Sequence, residues 1–282
     1  MTAGTDAARR TASHRTAGNV FLAMAVLVAL LPITLVLINA FKPHADIIAN
    51  PLALPHALSF ENFRTAWATG RFTTGLINSV LICASTILVT VSFAAMAAFP
   101  LARRKIRFWR VITLYFLCAV TVPIQLFLFP LYYIYALLGI VGNIFATSLV
   151  LSAINLPLSI FLLRTYVLTI PVDLEDAALI DGAGPWQIFR HVILPLIRPG
   201  LVTVAILVGF NAWNEFMITS TFQQGEAGFT MTLGYLSMNS TIVTDRGIMM
   251  AGALLIILPI IVFFLSMQRF FIEGMTSGAV KG

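Results

Sequence analysis

Residues 73–101, TTGLINSVLICASTILVTVSFAAMAAFPL, contain no Asp, Glu, Lys or Arg and are followed at once by ARRKIRFWR at 102–110. At 1.5 Å of rise per residue, a helix of this length exceeds the roughly 30 Å hydrocarbon core of a bilayer. The five basic residues behind it are typical of the cytoplasmic end of a span. This stretch therefore predicts a transmembrane helix with a defined orientation.

The same pattern recurs along the chain. Comparable apolar stretches lie at residues 19–41, 111–138, 144–167, 199–222 and 247–271. Hydrophobic residues make up 59% of the sequence, charged residues only 10%, and the mean hydropathy is +0.95. A soluble domain needs more charge to cover its surface, whereas lipid-facing surface needs none. We therefore expect an all-α integral membrane protein with six transmembrane helices. The first is expected to be retained, because its apolar core is too long for a signal peptide.

Basic residues predict how the spans are oriented. If the N-terminus is cytoplasmic, thirteen of the 17 Lys and Arg residues fall on the cytoplasmic side. They are Arg9, Arg10, Arg15, Arg103, Arg104, Lys105, Arg107, Arg110, Arg164, Arg190, Arg198, Arg269 and Lys281. The outer four are Lys42, Arg64, Arg71 and Arg246. The opposite orientation would invert this ratio, so both termini are expected in the cytoplasm. The net charge of +6 is attributed to this bias rather than to nucleic-acid binding.

The predicted domain organisation is simple. Residues 1–18, small, polar and basic, are expected to form a flexible cytoplasmic N-terminus. Residues 19–271 would form a single transmembrane domain, and residues 272–282 a cytoplasmic tail. Cys83 and Cys118 lie within apolar stretches and are expected to be small buried side chains. The four histidines, His14, His44, His56 and His191, show no metal-ligand spacing, so no metal site is predicted.

Residues 168–198 lie between the fourth and fifth spans and are called the elbow below. They are too polar to cross a membrane and too apolar for a free loop. Asp173 can begin a short helix whose acidic first turn suits the helix dipole, and Gly182 can end it. Pro185 can begin a second helix over 186–194, which Pro195 stops. Two interpretations remain open: a surface that docks a partner, and a helix lying on lipid.

The elbow resembles a known motif. EDAALIDG at 175–182, nine further residues and VILP at 192–195 closely resemble the EAA loop of permeases in binding-protein-dependent ABC importers. That pattern is E-A-A, three residues, G, nine residues, I, one residue, L-P. Asp176 stands where Glu is usual and Val192 where Ile is usual, and both keep charge or shape.

Further stretches resemble the carbohydrate-uptake branch, specifically the second permease of maltose-type and glycerol-phosphate-type systems. They are FKP at 41–43, ENF at 61–63, NS at 78–79, residues 97–103, PLY at 130–132 with LG at 138–139, WNEF at 213–216, QRFF at 268–271 and GMTSGAVKG at 274–282. Their order and spacing extend the resemblance over nearly all of the chain beyond residue 18. Arg246 departs from the family, which often has Trp there.

The resemblance implies a fold and a mechanism. The fold is that of a type I ABC importer permease, six transmembrane helices with a cytoplasmic coupling helix, in a bacterial inner membrane. Two permease subunits pair, two ATPase subunits bind beneath them, and a binding protein delivers a sugar or oligosaccharide outside. The EAA loop enters a cleft of the ATPase as the coupling helix. The chain lacks a Gly-x4-Gly-Lys-Ser/Thr phosphate loop, so ATP-Mg is expected in the partner ATPase, with no catalytic residue and no cofactor in this chain.

Two residue sets carry the predicted functions. The coupling set is Glu175, Asp176, Ala177, Ala178, Asp181, Gly182, Leu194 and Pro195. Its acids could meet Arg or Lys of the ATPase, or could serve only capping and solvation. The translocation-path set is the polar residues Asn78, Gln125, Asn155, Asn211, Asn214 and Glu215. For each of these, a hydrogen bond between helices is the competing interpretation.

Three other functions compete with sugar import. Glycerol phosphate or another polyol would use the same machinery, but a phosphate cargo favours cations near the pore, and the spans offer few. An ion-coupled secondary transporter predicts a carboxylate near mid-bilayer, which the spans lack, and leaves the elbow unexplained. A membrane scaffold does not need kinked spans dotted with polar residues.

Overall fold

Helices dominate the protein. The computed structural model describes residues 3–240 and 245–279, with side chains at 18–239 and 245–268, and no strand occurs in these ranges. Helices are expected in lipid because every backbone polar group must be satisfied within its own segment. The helices are α1 (Ala3–Ala40), α2 (His44–Ala49), α3 (Glu61–Thr69), α4 (Phe72–Ala102), α5 (Trp109–Thr121), α6 (Gln125–Leu137), α7 (Ile144–Leu168), α8 (Asp173–Ile180), α9 (Pro185–Ile188), α10 (Leu194–Leu196), α11 (Arg198–Asn214), α12 (Met217–Phe222), α13 (Met231–Ser240) and α14 (Arg246–Ala279).

Four to six parts of the described chain could cross a bilayer, compared with six predicted spans. Four helical segments are long and apolar enough to cross a bilayer alone: Gly18–Ala40, Phe72–Ala102, Ile144–Leu168 and Arg246–Gln268. Two bent pairs meet the same criterion only when each pair is taken together. They are α5 with α6, at the third predicted span, and Pro185–Leu196 with α11. Of the second pair only α11 lies at the fifth predicted span, since Pro185–Leu196 belongs to the elbow. The predicted all-α membrane fold is thus confirmed, with four unbroken candidate spans and two bent ones.

The third predicted span is broken rather than continuous. α5 and α6 meet at an angle of 97° across the short break at residues 122–124. Val122 is extended, with φ −81° and ψ 122°, because the ring of Pro123 disfavours a helical conformation in the residue before it. Pro130, in contrast, lies within α6.

The fifth predicted span also ends earlier than expected. α11 stops at Asn214, and Glu215 is extended with φ −70° and ψ 128°. The Glu215 carboxylate accepts hydrogen bonds from the backbone N–H groups of Ile218 (2.8 Å) and Thr219 (2.9 Å). These bonds satisfy the free donors at the start of α12, so the acid begins a new short helix instead of continuing α11.

Both ends of the described chain are helical. α1 begins at Ala3 and α14 continues to Ala279, and the flexible N-terminus expected at residues 1–18 stays a prediction. Alanine-rich sequence favours a helix over residues 3–18. Residues 1–2 and 280–282, including Lys281, lie outside the described residues, as do the side chains of Arg9, Arg10, Arg15 and Arg269.

The chain divides into two units, Met1–Ala68 with Met238–Leu255, and Thr69–Ser237 with Ile256–Gly282. In the first unit, buried Asn62 donates to the carbonyls of Ala40 (2.9 Å) and Lys42 (2.8 Å), which fixes the chain after α1. The single transmembrane domain predicted for residues 19–271 stays a prediction.

In the second unit, α4 and α7 pack closely along small and hydroxyl side chains. Buried residues recur at every fourth position of α4: Ile82, Thr86, Thr90, Ala94, Ala98 and Ala102. The hydroxyls of Ser148 and Ser152 on α7 donate to the carbonyls of Ile82 (3.5 Å) and Thr86 (3.4 Å). Small side chains allow helices to approach in lipid, where no hydrophobic force drives them together. The elbow packs against the ends of these two helices, as described below.

Candidate functional site

The elbow is built from two short helices separated by a tight turn. α8 ends at Ile180, and Gly182 adopts a left-handed conformation with φ +81°. Its N–H bonds to the carbonyl of Leu179, and the N–H of Ala183 bonds back to Ala178 at 2.9 Å. Such an ending favours glycine because a Cβ disfavours positive φ. The side chain of Gln187 then accepts from the N–H of Gly184 at 2.7 Å, which closes the start of α9.

A buried apolar core attaches the elbow to the ends of α4 and α7. Within the elbow, the buried members are Ile170, Ile188, Phe189, Ile193 and Ile197. They pack in one cluster with Ala98, Phe99, Leu101 and Ala102 of α4 and with Leu163 and Val167 of α7. The elbow therefore belongs to the folded body of the second unit.

A π-helical turn, Phe189–Ile193, connects α9 to α10. Such wide turns are often found at functional sites, and here the turn directly precedes Leu194 and Pro195 of the coupling set. Leu194 is half-buried against the core cluster, whereas Pro195 is exposed. The structure therefore gives Leu194 a packing contact and leaves Pro195 at the surface.

Glu175 is the buried acid of the elbow, with 2% of its surface exposed. Its Oε1 accepts from Nε of Arg103 at 2.5 Å, and its Oε2 from Nζ of Lys105 at 3.0 Å. Both cations lie just beyond the end of α4. Sequence reasoning missed this pairing because it attributed the basic cluster at 103–110 to membrane orientation alone.

The rest of α8 is largely exposed and combines apolar side chains with acids. Ile180 is 87% exposed and Leu179 is 52% exposed. Asp176, Ala177 and Asp181 are also exposed, whereas Ala178 is partly buried against the core cluster. On the next helix, Trp186 is 59% exposed. The coupling set thus contains one inward acid, Glu175, and three exposed residues, Asp176, Ala177 and Asp181. Together with Leu179 and Ile180, which the predicted set did not include, these exposed residues form the surface called the α8 face below.

Five residues of the translocation-path set make hydrogen bonds within the chain: Asn155 and Asn214 to carbonyls of their own helices, Asn211 to Asn155, and Asn78 and Glu215 to the backbone of other segments. The amide of Asn78, on α4, donates to the carbonyls of Ala227 and Phe229, each at 2.8 Å. Glu215 begins α12, as described above. In this structure, the side chains of Asn78 and Glu215 both hydrogen-bond to backbone groups.

The other four residues differ in where they lie. Asn211 donates to Oδ1 of Asn155 at 3.1 Å, which joins α11 to α7. Asn211 and Asn214, three positions apart on α11, are exposed and share one side of that helix. Gln125, at the start of α6, is exposed as well. The structure thus brings Asn155, Asn211 and Asn214 onto one polar strip and gives Gln125 no contact with it.

The family model for the binding-protein-dependent transport system inner membrane component matches residues 90–276, which includes the whole elbow. This chain belongs to that family. The probable ABC transporter permease protein YurM of Bacillus subtilis (strain 168) is 35% identical to this permease over 263 residues, covering 93% of the permease and 87% of YurM.

A second relative agrees with this membership, and a solved structure has a similar fold. The trehalose transport system permease protein SugB of Mycobacterium tuberculosis (strain CDC 1551 / Oshkosh) is 36% identical over 256 residues, covering 90% of this permease and 93% of SugB. A bacterial ABC transporter involved in the import of the acidic polysaccharide alginate has a chain of similar fold. Its TM-score is 0.78 at 20% identity, covering 93% of this permease and 98% of that chain. The predicted fold and transporter class are therefore confirmed.

Proposed function

We propose that this permease is one of two permease subunits in an ABC importer for a sugar or oligosaccharide, driven by separate ATPase subunits that bind the α8 face. The α8 face carries the proposal, because large exposed apolar side chains beside exposed acids are typical of a protein interface. An ATPase cleft lined by apolar and basic residues would complement it.

The proposed orientation has both termini in the cytoplasm. The α8 face and the basic cluster at 103–110 belong to the same end of the second unit, because Glu175 contacts Arg103 and Lys105. The positive-inside bias assigns this end to the cytoplasm, where an ATPase can reach it.

The proposed cargo is a neutral carbohydrate. The relatives that support it include SugB and the arabinooligosaccharides transport system permease protein AraQ of Halalkalibacterium halodurans, which is 31% identical over 90% of this chain. The polar strip of Asn155, Asn211 and Asn214 offers uncharged donors and acceptors, which suit sugar hydroxyls. Glycerol phosphate would instead favour cationic groups. A binding protein would deliver the cargo from outside.

The experiment that tests this function is purification of the tagged permease from its native membrane in mild detergent. We expect a second permease and two ATPase subunits to co-purify, and the reconstituted complex to take up sugar only with ATP and the binding protein encoded beside it. ATP-independent uptake by the permease alone would contradict the proposal and favour a secondary transporter.

Asn211→Leu tests the polar strip. We expect this change to reduce sugar uptake about tenfold, because it removes a donor to the cargo and the 3.1 Å bond to Asn155, while the complex still assembles. The assay is initial uptake rate in proteoliposomes at equal amounts of complex. Phe210→Leu, an exposed apolar position on the same helix, serves as the control. Uptake by Asn211→Leu equal to that of the control would exclude Asn211 from the path.

A further inference from the structure

The end of α4 has a shape that directs two cations towards the elbow. The backbone N–H of Arg103 donates to the carbonyl of Phe99, and the N–H of Lys105 donates to the carbonyl of Pro100. These two bonds end the last turn of α4. In this turn Arg104 has φ +54°, a left-handed conformation that is uncommon for residues other than glycine. Arg104 stacks on the Trp109 ring at 4.9 Å, whereas Arg103 and Lys105, on either side of it, both reach Glu175.

The contact between Arg103 and Glu175 is buried and closely fitted. Their side chains are 9% and 3% exposed, compared with 47% for Lys105. Besides its bond to Glu175, Arg103 donates through Nη2 to the carbonyl of Ile170 at 2.9 Å, just before α8. Arg103 therefore holds both the entrance of α8 and its first turn. Because both carboxylate oxygens of Glu175 are engaged within the chain, this acid is not available to a partner.

Glu175 is the one buried residue among the eight of α8. The apolar core holds α9 and the π-helical turn through Ile188, Phe189 and Ile193, but α8 contributes only the partly buried Ala178 to it. The ion pair is therefore the main contact that joins α8 to α4. Buried ion pairs often add little stability compared with apolar packing. A contribution to stability alone therefore does not explain why an ion pair is buried at this position.

We propose that Arg103 and Glu175 are positioning residues that lock α8 to the end of α4, so that a displacement of α8 by the ATPase moves α4 with it. The inference rests on the proposed function, because it needs an ATPase on the α8 face. Asp176 and Asp181 on that face would contact the partner, while Glu175 transmits the motion inward. Lys105 screens the open side of the carboxylate.

Glu175→Gln in the assembled importer tests the lock. The change keeps the size and one acceptor but removes the charge that holds Arg103. We expect ATP hydrolysis to continue while import falls, so that ATP consumed per sugar imported rises about tenfold. Asp173→Asn, the same charge change at an exposed position of the same helix, is expected to leave this ratio unchanged. If ATPase activity and import fall in equal proportion, or neither changes, the inference is wrong.

A double-mutant cycle adds a readout that depends on the pair. Arg103→Gln is expected to raise the ATP consumed per sugar imported as Glu175→Gln does. In the double variant this ratio is expected to be no higher than in either single variant. Effects that multiply would mean that the two residues act independently and would overturn the pairing. A wild-type complex that lacks an ATPase would instead overturn the proposed function.

A distance measurement on the otherwise native importer avoids variants that fold poorly. With Cys83 and Cys118 replaced by alanine, spin labels at the exposed positions Met96 on α4 and Asp173 on α8 report the separation of the two helices. We expect the same separation in the nucleotide-free and ATP-bound states, because the lock moves both helices as one body. A change of more than about 5 Å, one helical turn, would contradict it.

Discussion

Replacing Ile180 with aspartate is expected to abolish binding of the ATPase and sugar import while leaving the permease folded. Ile180 is 87% exposed at the end of α8, so it makes few contacts within its own chain. A change at this position should therefore have little effect on the stability of the isolated permease. Its effect should appear only when a partner covers the α8 face.

The expected size of this effect follows from burial at the interface. Burying an isoleucine side chain contributes about 1.5–3 kcal/mol, and a buried carboxylate without a partner costs more still. The loss therefore exceeds about 2.8 kcal/mol, which corresponds to a loss of affinity of more than about 100-fold.

Co-purification of the ATPase and uptake by proteoliposomes measure the Ile180→Asp effect. Ile180→Leu is the matched control, because it keeps an apolar side chain of the same size, and it is expected to behave as the wild type. If Ile180→Asp binds the ATPase normally, the α8 face is not the docking surface.

Gly234→Ala is expected to destabilise the permease itself by about 3 kcal/mol, at the upper end of what overpacking costs. Gly234 lies within α13, where alanine would normally be the better helix former. A Cβ at this position, however, would overlap the backbone carbonyl oxygen of Gly70 and touch the Phe72 ring at 3.4 Å. A backbone atom cannot move aside as a flexible side chain can, so the segment before α4 would have to shift.

The thermal unfolding midpoint of the detergent-solubilised permease measures this cost. Gly18→Ala serves as the control, since a Cβ at position 18 meets nothing within 4 Å. We expect a midpoint several degrees lower for Gly234→Ala and no decrease for the control. Equal midpoints would mean that α13 and the chain before α4 do not approach as closely as described.

Hydropathy predicts the existence of the spans better than their shape. The stretch at 111–138 is apolar throughout, yet α5 and α6 meet at 97°. Pro123 lies at the break, but Pro130 and Pro157 lie inside helices that continue through them. Whether a proline breaks a span depends on whether neighbouring groups satisfy the freed carbonyl, and one sequence does not contain that information.

The elbow forms helices where the sequence indicates them, with α8 at 173–180 and a second helical stretch that begins at Pro185. Pro195, expected to stop that second helix, lies inside α10 instead, and the direction of the acids was not predicted. Glu175 and Asp176 are adjacent, so their side chains point about 100° apart on a helix, and one can be buried while the other is exposed. The choice is made by Arg103, which lies 72 positions earlier in the chain. Such long-range contacts become visible only in the folded protein.

The contacts of polar residues near the spans also could not be read from the sequence. Glu215 was predicted to lie near the outer end of a span, as part of the translocation path, but its carboxylate begins α12. Asn78 holds two backbone carbonyls of the segment around Phe229. Composition indicates that a polar group near a membrane needs a partner, whereas the structure shows whether the chain itself supplies that partner.

Photo-crosslinking from position 180 in intact membranes tests whether an ATPase subunit binds the α8 face. A photoreactive amino acid replaces Ile180, the importer is assembled in cells, and the products are separated after illumination. We expect a crosslinked species that contains one permease and one ATPase subunit, and loss of that species when the ATPase is deleted. Crosslinks to lipid alone would contradict this expectation, because they would mean that the α8 face lies on the membrane surface.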